Sequence, residues 1–359
     1  MPFCRDKGRP ESKLWFVLES PFGSDIPKLE LMSGGMGSAW RKMLYEARID
    51  PDQCYFTSRC PDTDVKGFVD TAGKLNHYQP PLVCVLGHCA GAFLSELKVK
   101  DEGKPPMQKW AGSLLTSDKL TYPHYCIPLY DPAFMMADWT ERNVTTYVDL
   151  QKIKDELDHW QKFGVLKPLP ERTLIYHDIP FDELLSYIER FSNSRYISND
   201  IENPTYKSEL YKPHPGYPFL LGLADSPNFG ISFRLFRDSP SENRILWRSL
   251  DRLYKNCTLI GQNFFNYDAL FHNALGFNID LSRVQDTLIR HHILWPELSH
   301  KLQFLTRQYT REPYYKDENH SWTMKNLNRY RRYNAMDATV TYEVWLGQEE
   351  EFNNKPHLR

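Results

Sequence analysis

No stretch of this chain reaches the roughly 18 consecutive apolar residues that a membrane-spanning helix needs, and the polar start from Met1 to Lys13, broken by Pro2, Gly8 and Pro10, has no apolar leader core. On that ground the chain reads as cytoplasmic, with no membrane partner. Neither sign of charge dominates: 44 Lys and Arg stand against 46 Asp and Glu, a formal net charge of −2. Nothing global therefore marks a nucleic-acid binder, although an acidic metal site can coexist with local basic surface. Internal repeats and low-complexity tracts are absent. The seven cysteines, Cys4, Cys54, Cys60, Cys84, Cys89, Cys126 and Cys257, include no C-x-x-C pair, which argues against a zinc or iron–sulfur site. An odd number without a secretion signal is expected to be reduced and buried. The remainder is ordinary for globular protein: 359 residues, enough for two domains, with 41% hydrophobic and 25% charged residues. Aromatics, at 14%, are expected mostly in cores, a minority being available to stack on bases.

In the first half, short apolar runs at Leu14–Leu18, Tyr55–Thr57, Leu82–Leu86 and Tyr125–Leu129 alternate with helical spacing at Ala39–Ala47 and after Ala90. That order predicts an α/β sheet. From Ala137 to about Lys162 the pattern is helical and charged. Residues 163–171, with two prolines, read as a linker between a domain at 13–162 and a second at 172–352. In the second half, Phe181–Phe191 has a helical period and Arg195–Glu202 reads as a strand. Phe219–Ala224 and Gly230–Phe233 read as a hairpin, and from Asn243 onward the signal is mostly helical, apart from Thr258–Ile260.

Four carboxylates stand out. Asp200 and Glu202 flank Ile201, and residues two apart on a strand share a face. Asp268 closes the run Asn263-Phe264-Phe265-Asn266-Tyr267-Asp268 and opens a helix to about Ala274. Tyr333 and Asp337, at i and i+4, share a helix face. Taken singly, any of these acids is better explained as a solvated face or a helix cap, Asp286 before Thr287 above all. Acids at the end of an apolar strand are costly unless a cation neutralises them.

In their order, the three motifs resemble the DnaQ-like exonuclease superfamily, in the subgroup with four acids and a tyrosine, over about residues 172–352. Asp286-Thr287, the stretch His300–Tyr315 and Asp317-Glu318 further resemble the proofreading domain of family A DNA polymerases. The resemblance implies an RNase H-like domain with a mixed sheet. It implies hydrolysis of phosphodiesters from single-stranded 3′ ends of DNA with two Mg²⁺ ions, Mn²⁺ being possible, roughly 3.5–4 Å apart. By the same resemblance, Asp200 bridges both metals, Glu202 and Asp337 hold the metal that binds water, and Asp268 supports the second through water. Tyr333 orients the attacking water; with an ordinary pKa near 10 it is suited to positioning rather than proton removal. Asn263 contacts the terminal nucleotide, and Lys325, Arg329, Arg331 and Arg332, read as preceding the Tyr-x-x-x-Asp helix, are candidate phosphate contacts or equally a solvated face.

The first half, over about residues 13–140, resembles the uracil-DNA glycosylase superfamily. The signs are Val17-Leu18-Glu19-Ser20-Pro21, the Gly34-Gly35-x-Gly37 turn, Tyr55-Phe56-Thr57-Ser58, Pro81–Gly87 with Ala90, and Pro128-Leu129-Tyr130-Asp131-Pro132. Ser58 and Asp131 stand where active members carry Asn and His, so a degenerate, DNA-binding or architectural domain is expected. Two rival motifs compete here. Gly87-His88-Cys89-Ala90-Gly91 matches a nucleophile elbow without a triad. The Ser33–Ser38 loop resembles a phosphate cradle without the G-K-[ST] ending. A glycosylase-like domain ahead of a proofreading exonuclease looks like the N-terminal part of certain bacteriophage DNA polymerases. The chain carries no polymerase motif; a fragment or split gene product partnered by a separate polymerase module and a free-standing nuclease both stay open, and cytoplasmic means the host cell if the chain is phage-encoded. A non-catalytic DNA- or polymerase-binding module and a glycosylase fused to a nuclease stay open as alternatives.

Overall fold

The computed structural model describes residues 4–60, 69–97, 107–203, 219–316 and 327–358. The chain is mixed α/β and divides into two compact units, one of Met1–Leu169 with Arg311–Tyr314, the other of Pro170–Thr310 with Tyr315–Arg359.

In the first unit, β1 (Leu14–Leu18), β2 (Cys54–Ser58), β3 (Leu82–Leu86) and β4 (Tyr125–Leu129) form a parallel sheet in the order β2-β1-β3-β4. Every residue of all four strands is buried. Unbroken apolar runs are the signature of strands covered on both faces. From Cys4 onward the polar start packs into this unit: Lys7 and Phe56 exchange backbone hydrogen bonds of 3.0 and 2.8 Å, and Cys4 is buried. The glycine-rich loop is occupied by the chain itself. The fully buried Asp25 carboxylate accepts from Met32 N at 2.9 Å and Gly34 N at 2.8 Å, taking the place an external anion would need. The helix α1 (Gly35–Glu46) begins inside the loop, and a Cβ on Gly37 would stand 2.2 Å from Met32 O.

In the second unit the sheet is mixed, in the order β10-β9-β6-β7-β8-β5. Its strands are β5 (Thr173–Ile175), β6 (Tyr196–Glu202), β7 (Leu220–Ser226), β8 (Phe229–Arg234), β9 (Thr258–Gly261) and β10 (Val284–Asp286). The three-residue β5 and β10 sit at the two edges and carry no periodicity long enough to read from sequence. One face is covered by α2 (Phe181–Ser192) and α3 (Pro240–Asn256), which bury Leu184, Ile188, Phe191, Leu246, Leu250 and Leu253 with Ile197, Ile201, Leu221 and Leu223 of the strands. Full burial of each such side chain stabilises by about 1.5–3 kcal/mol. Ser239 caps α3 by accepting from Glu242 N, with Pro240 in the first turn.

The opposite face carries α4 (Leu327–Asn354), a 28-residue helix. It lies so close to the sheet that two strand positions must be glycine. A Cβ on Gly222 would come within 2.7 Å of Asn334 O, and one on Gly230 within 2.6 Å of Thr339 Cγ2 and 3.1 Å of Ala335 O. The small Ala335 and Ala338 are fully buried. This helix starts earlier than expected, so Arg329, Arg331 and Arg332 lie within its first turns rather than ahead of it; Lys325, Asp317 and Glu318 lie outside the described residues. Gly222→Val is expected to push α4 off the sheet and cost about 1–3 kcal/mol. Urea unfolding checks this: the second unit's midpoint falls, whereas an unchanged midpoint would mean the contact is not tight.

Candidate metal centre

Strand β6 turns Asp200 and Glu202 toward α4 while Ile201 packs into the core on the other face. Asp200 pairs in register with Gly222 on β7, so the residue beside the acid is the one whose missing side chain admits the helix. From α4, Tyr330, Tyr333, Asn334 and Asp337 follow one another at i, i+3, i+4 and i+7 along the face against the sheet.

Asp200, Glu202 and Asp337 each offer a carboxylate oxygen within 4.8 Å of the others. Among the described residues this is the one gathering of three metal-capable side chains. Each acid has a dedicated partner. Asn334 Nδ2 donates to Asp200 Oδ2 at 2.7 Å and to Asp200 O at 3.1 Å, and Ser232 Oγ holds the amide from behind at 2.6 Å. Tyr330 OH donates to Glu202 Oε2 at 2.5 Å. Tyr315 OH donates to Asp337 Oδ1 at 2.7 Å, and Lys316 Nζ meets Asp337 Oδ2 at 2.5 Å and Tyr333 OH at 3.1 Å.

Asp268 stands next to this group by a different route. Pairing of β6 with β9 ends at Ser198 and Ile260, which leaves the outer edge of β6 without a strand. The buried Asp268 carboxylate satisfies that edge, its Oδ1 accepting from Ile201 N at 2.8 Å. It therefore reaches across to β6 instead of capping its own helix, α5 (Asp268–Ala274). Asp286 does act as a cap, for Thr287–Leu294, through Leu288 N at 2.9 Å. It also accepts from Asn263 N at 3.0 Å and Phe265 N at 3.3 Å, and so clamps the turn that delivers Asp268.

Burial and crowding act on Asp200, Glu202 and Asp268 in one direction. Asp200 is pushed well above the usual carboxylate range by burial first, then by Asp337, Glu202 and Asp268, with Lys316 opposing. Glu202 is pushed up to about 7 by burial, against the stabilising bond from Tyr330. Burial raises Asp268 as well, despite its backbone donors. The Tyr333 phenol is pushed far above its ordinary value by burial and then by Asp337, Glu202 and Asp200, so it stays protonated.

The remaining expected site residues are not placed in the carboxylate group. Asn263 takes a left-handed backbone, φ 59°, and its side chain accepts from Asn266 at 3.1 Å. Arg329 is exposed and Arg332 half-buried on α4. Arg331 is buried and paired with Asp178 at 3.0 Å, which removes it from the candidate phosphate contacts. Tyr330 and Asn334 share the helix face of Tyr333 and Asp337, a spacing that the sequence itself carries. Lys316 had no periodic signal, because it comes from the segment before α4. In the first unit, Ser58 is buried in β2, Asp131 caps Pro132–Ala137 through Ala133 N, and Glu19 is held by Arg59 at 2.8 and 3.1 Å. Cys89, the elbow cysteine, is fully buried and its thiol is pushed well up by that burial, so it is no exposed nucleophile. All seven cysteines are buried and none forms a disulfide. No described helix is long and apolar enough to cross a membrane.

No protein-family model and no curated protein matches this chain. Solved structures share part of it. The catalytic core of RRP6 from Trypanosoma brucei is 15% identical over 55% of this chain and 54% of that one, with a TM-score of 0.40. The Aedes aegypti Nibbler EXO domain is 16% identical over 51% of this chain and 88% of that one, TM-score 0.38. Escherichia coli RNase D, an exoribonuclease involved in structured RNA processing, is 16% identical over 52% and 48%, TM-score 0.35. The match thus spans about half the length of the RRP6 core, and the chemistry of the centre rests on its own residues.

A carboxyl whose folded pKa lies above its unfolded value takes up a proton on folding. For Glu202 the window runs from about 4.3 in the unfolded chain to about 7 in the fold. The metal-free protein should therefore lose stability as pH rises through that window, and lose no more from this group above it. Asp200→Asn is expected to raise the melting temperature in EDTA at pH 7.5 and to give little gain at pH 5, where the wild-type Asp200, its pKa pushed well up, already holds its proton. Equal gains at both pH values would contradict the like-charge account.

Proposed function

We propose that the second unit is a metal-dependent 3′→5′ exonuclease acting on single-stranded 3′ ends of DNA and releasing nucleoside monophosphates. The observation that carries this reading is the convergence of Asp200, Glu202 and Asp337 within 4.8 Å, with Asp268 and Tyr333 beside them. The donors are all oxygens, Asp337 lies close enough to raise the pKa of both Asp200 and Glu202, and Asn334, Ser232, Tyr330 and Tyr315 brace the side chains from outside. Such a set fits hard divalent cations, Mg²⁺ or Mn²⁺. Asp200, Glu202 and Asp337 would hold one ion, and Asp200 with Asp268, acting through water, a second. When bound, the ions supply an activated water and stabilise the leaving 3′ oxygen.

The chain's own residues do the positioning. Asn334 and Tyr330 lock Asp200 and Glu202 in single rotamers, so the ligands need no reordering on binding. Tyr333, kept protonated, orients the attacking water by hydrogen bonding and does not take its proton. Asn263, Arg329 and Arg332 are the proposed contacts of the terminal nucleotide and its phosphates. A proofreading role, removing mispaired 3′ ends beside a polymerase module, extends the same reading. The glycosylase-like unit is then a DNA-holding or architectural element.

Digestion of 5′-labelled single-stranded DNA with Mg²⁺, with a parallel RNA strand, tests the reading. A ladder shortening from the 3′ end of DNA is expected, absent in Asp200→Ala. Tyr333→Phe should slow it by on the order of 10²-fold, as loss of one positioning bond does elsewhere. Cleavage of RNA alone would overturn the substrate assignment, and no ladder with either metal would overturn the enzyme.

A further inference from the structure

Lys316 belongs to none of the motifs, yet its ammonium sits inside the metal centre. Nζ lies 2.5 Å from Asp337 Oδ2 and 3.1 Å from Tyr333 OH, and 4.8 Å from the centroid of the Tyr333 ring. The pair is largely withdrawn from water, with 17% of the lysine side chain and 6% of the aspartate exposed. The preceding residue, Tyr315, takes the other oxygen of Asp337. Both oxygens of the helix carboxylate are thus engaged by two consecutive residues. The same ammonium favours the charged forms of Asp200 and Glu202.

A divalent ion bound by Asp337 would sit close to this ammonium. Magnesium binds carboxylate oxygen at about 2.0–2.1 Å, which would leave the ion and the ammonium on the same carboxylate with only its oxygens between them, and like charges so close in a partly buried site repel strongly. The lysine and the metal therefore compete for one carboxylate. Lysine is suited to withdrawal: its charge is a point on a flexible four-carbon stem, free of arginine's planar two-pronged geometry.

We propose that Lys316 is the resident counter-cation of this centre, balancing the acids when no metal is bound and leaving Asp337 when a divalent ion enters, so that metal affinity is set by competition with the chain's own ammonium. The inference rests on the metal-centre reading above and adds a device to it. It predicts that the metal-free fold tolerates its acidic cluster because of Lys316, and that loading the centre exposes this side chain.

Amine acylation of the full wild-type chain, read residue by residue by mass spectrometry in EDTA and in saturating Mg²⁺, tests exposure without any substitution. Lys316 should be slow to react in EDTA and severalfold faster with Mg²⁺, while Lys154 and Lys255 serve as internal references. An unchanged Lys316 rate would overturn the proposal. Calorimetric titration with Mn²⁺ gives the second arm. Lys316→Met should bind about tenfold tighter than wild type, or about 1.4 kcal/mol. If both proteins bind Mn²⁺ equally, or the variant binds more weakly, the lysine inference fails and the metal centre stands. If neither binds, both fail.

Discussion

Asp200, Glu202 and Asp337 bring carboxylate oxygens within 4.8 Å of one another, Asp337 buried and Asp200 and Glu202 half-buried. Each ionised acid makes the next harder to ionise, so the arrangement is unfavourable in isolation and demands a positive charge. Much of the second unit is arranged around holding that arrangement together. Gly222 and Gly230 lack side chains so that α4 can lie on the sheet, and the approach places Asp337 over a strand that already carries two acids. A side chain at Gly222 would meet the backbone of α4 at Asn334, three residues before Asp337.

A second layer of residues keeps the acids from relaxing apart. Asn334 is tied both to Asp200 and to Ser232 on β8, and Tyr330 and Tyr315 donate to Glu202 and Asp337. These bonds come from neutral groups, so they orient without neutralising. Charge compensation comes from Lys316 in the metal-free chain. Asp268 differs from the other acids in being committed to a backbone N–H, with Asp286 holding the turn behind it. One carboxylate thus serves strand edge and site together, which suits a role at the rim of the centre.

The parts of this account that follow a short period were legible in the sequence. The D-x-E strand declares itself by alternation, the hairpin by its turn residues, and Tyr333 with Asp337 by helical spacing. Tyr330 and Asn334 share that spacing and were within reach. Other features have no local signature. Lys316 depends on the path of the chain before α4, and Arg331 looks like any surface arginine until its pairing with Asp178 is seen. The glycine loop of the first unit reads as a tight turn by default with an anion cradle as its rival, and only the fold reveals that Asp25, from seven to nine residues upstream, already fills it. Gly222 and Gly230 look like ordinary strand residues in the sequence, because a glycine's reason lies in what packs against it.

Anomalous scattering from a crystal of the full chain soaked in Mn²⁺ tests the central claim most directly. The account predicts a strong peak bounded by Asp200, Glu202 and Asp337, with the Lys316 side chain turned away from Asp337. A saturated soak with no peak there, and Lys316 still paired to Asp337, would contradict it.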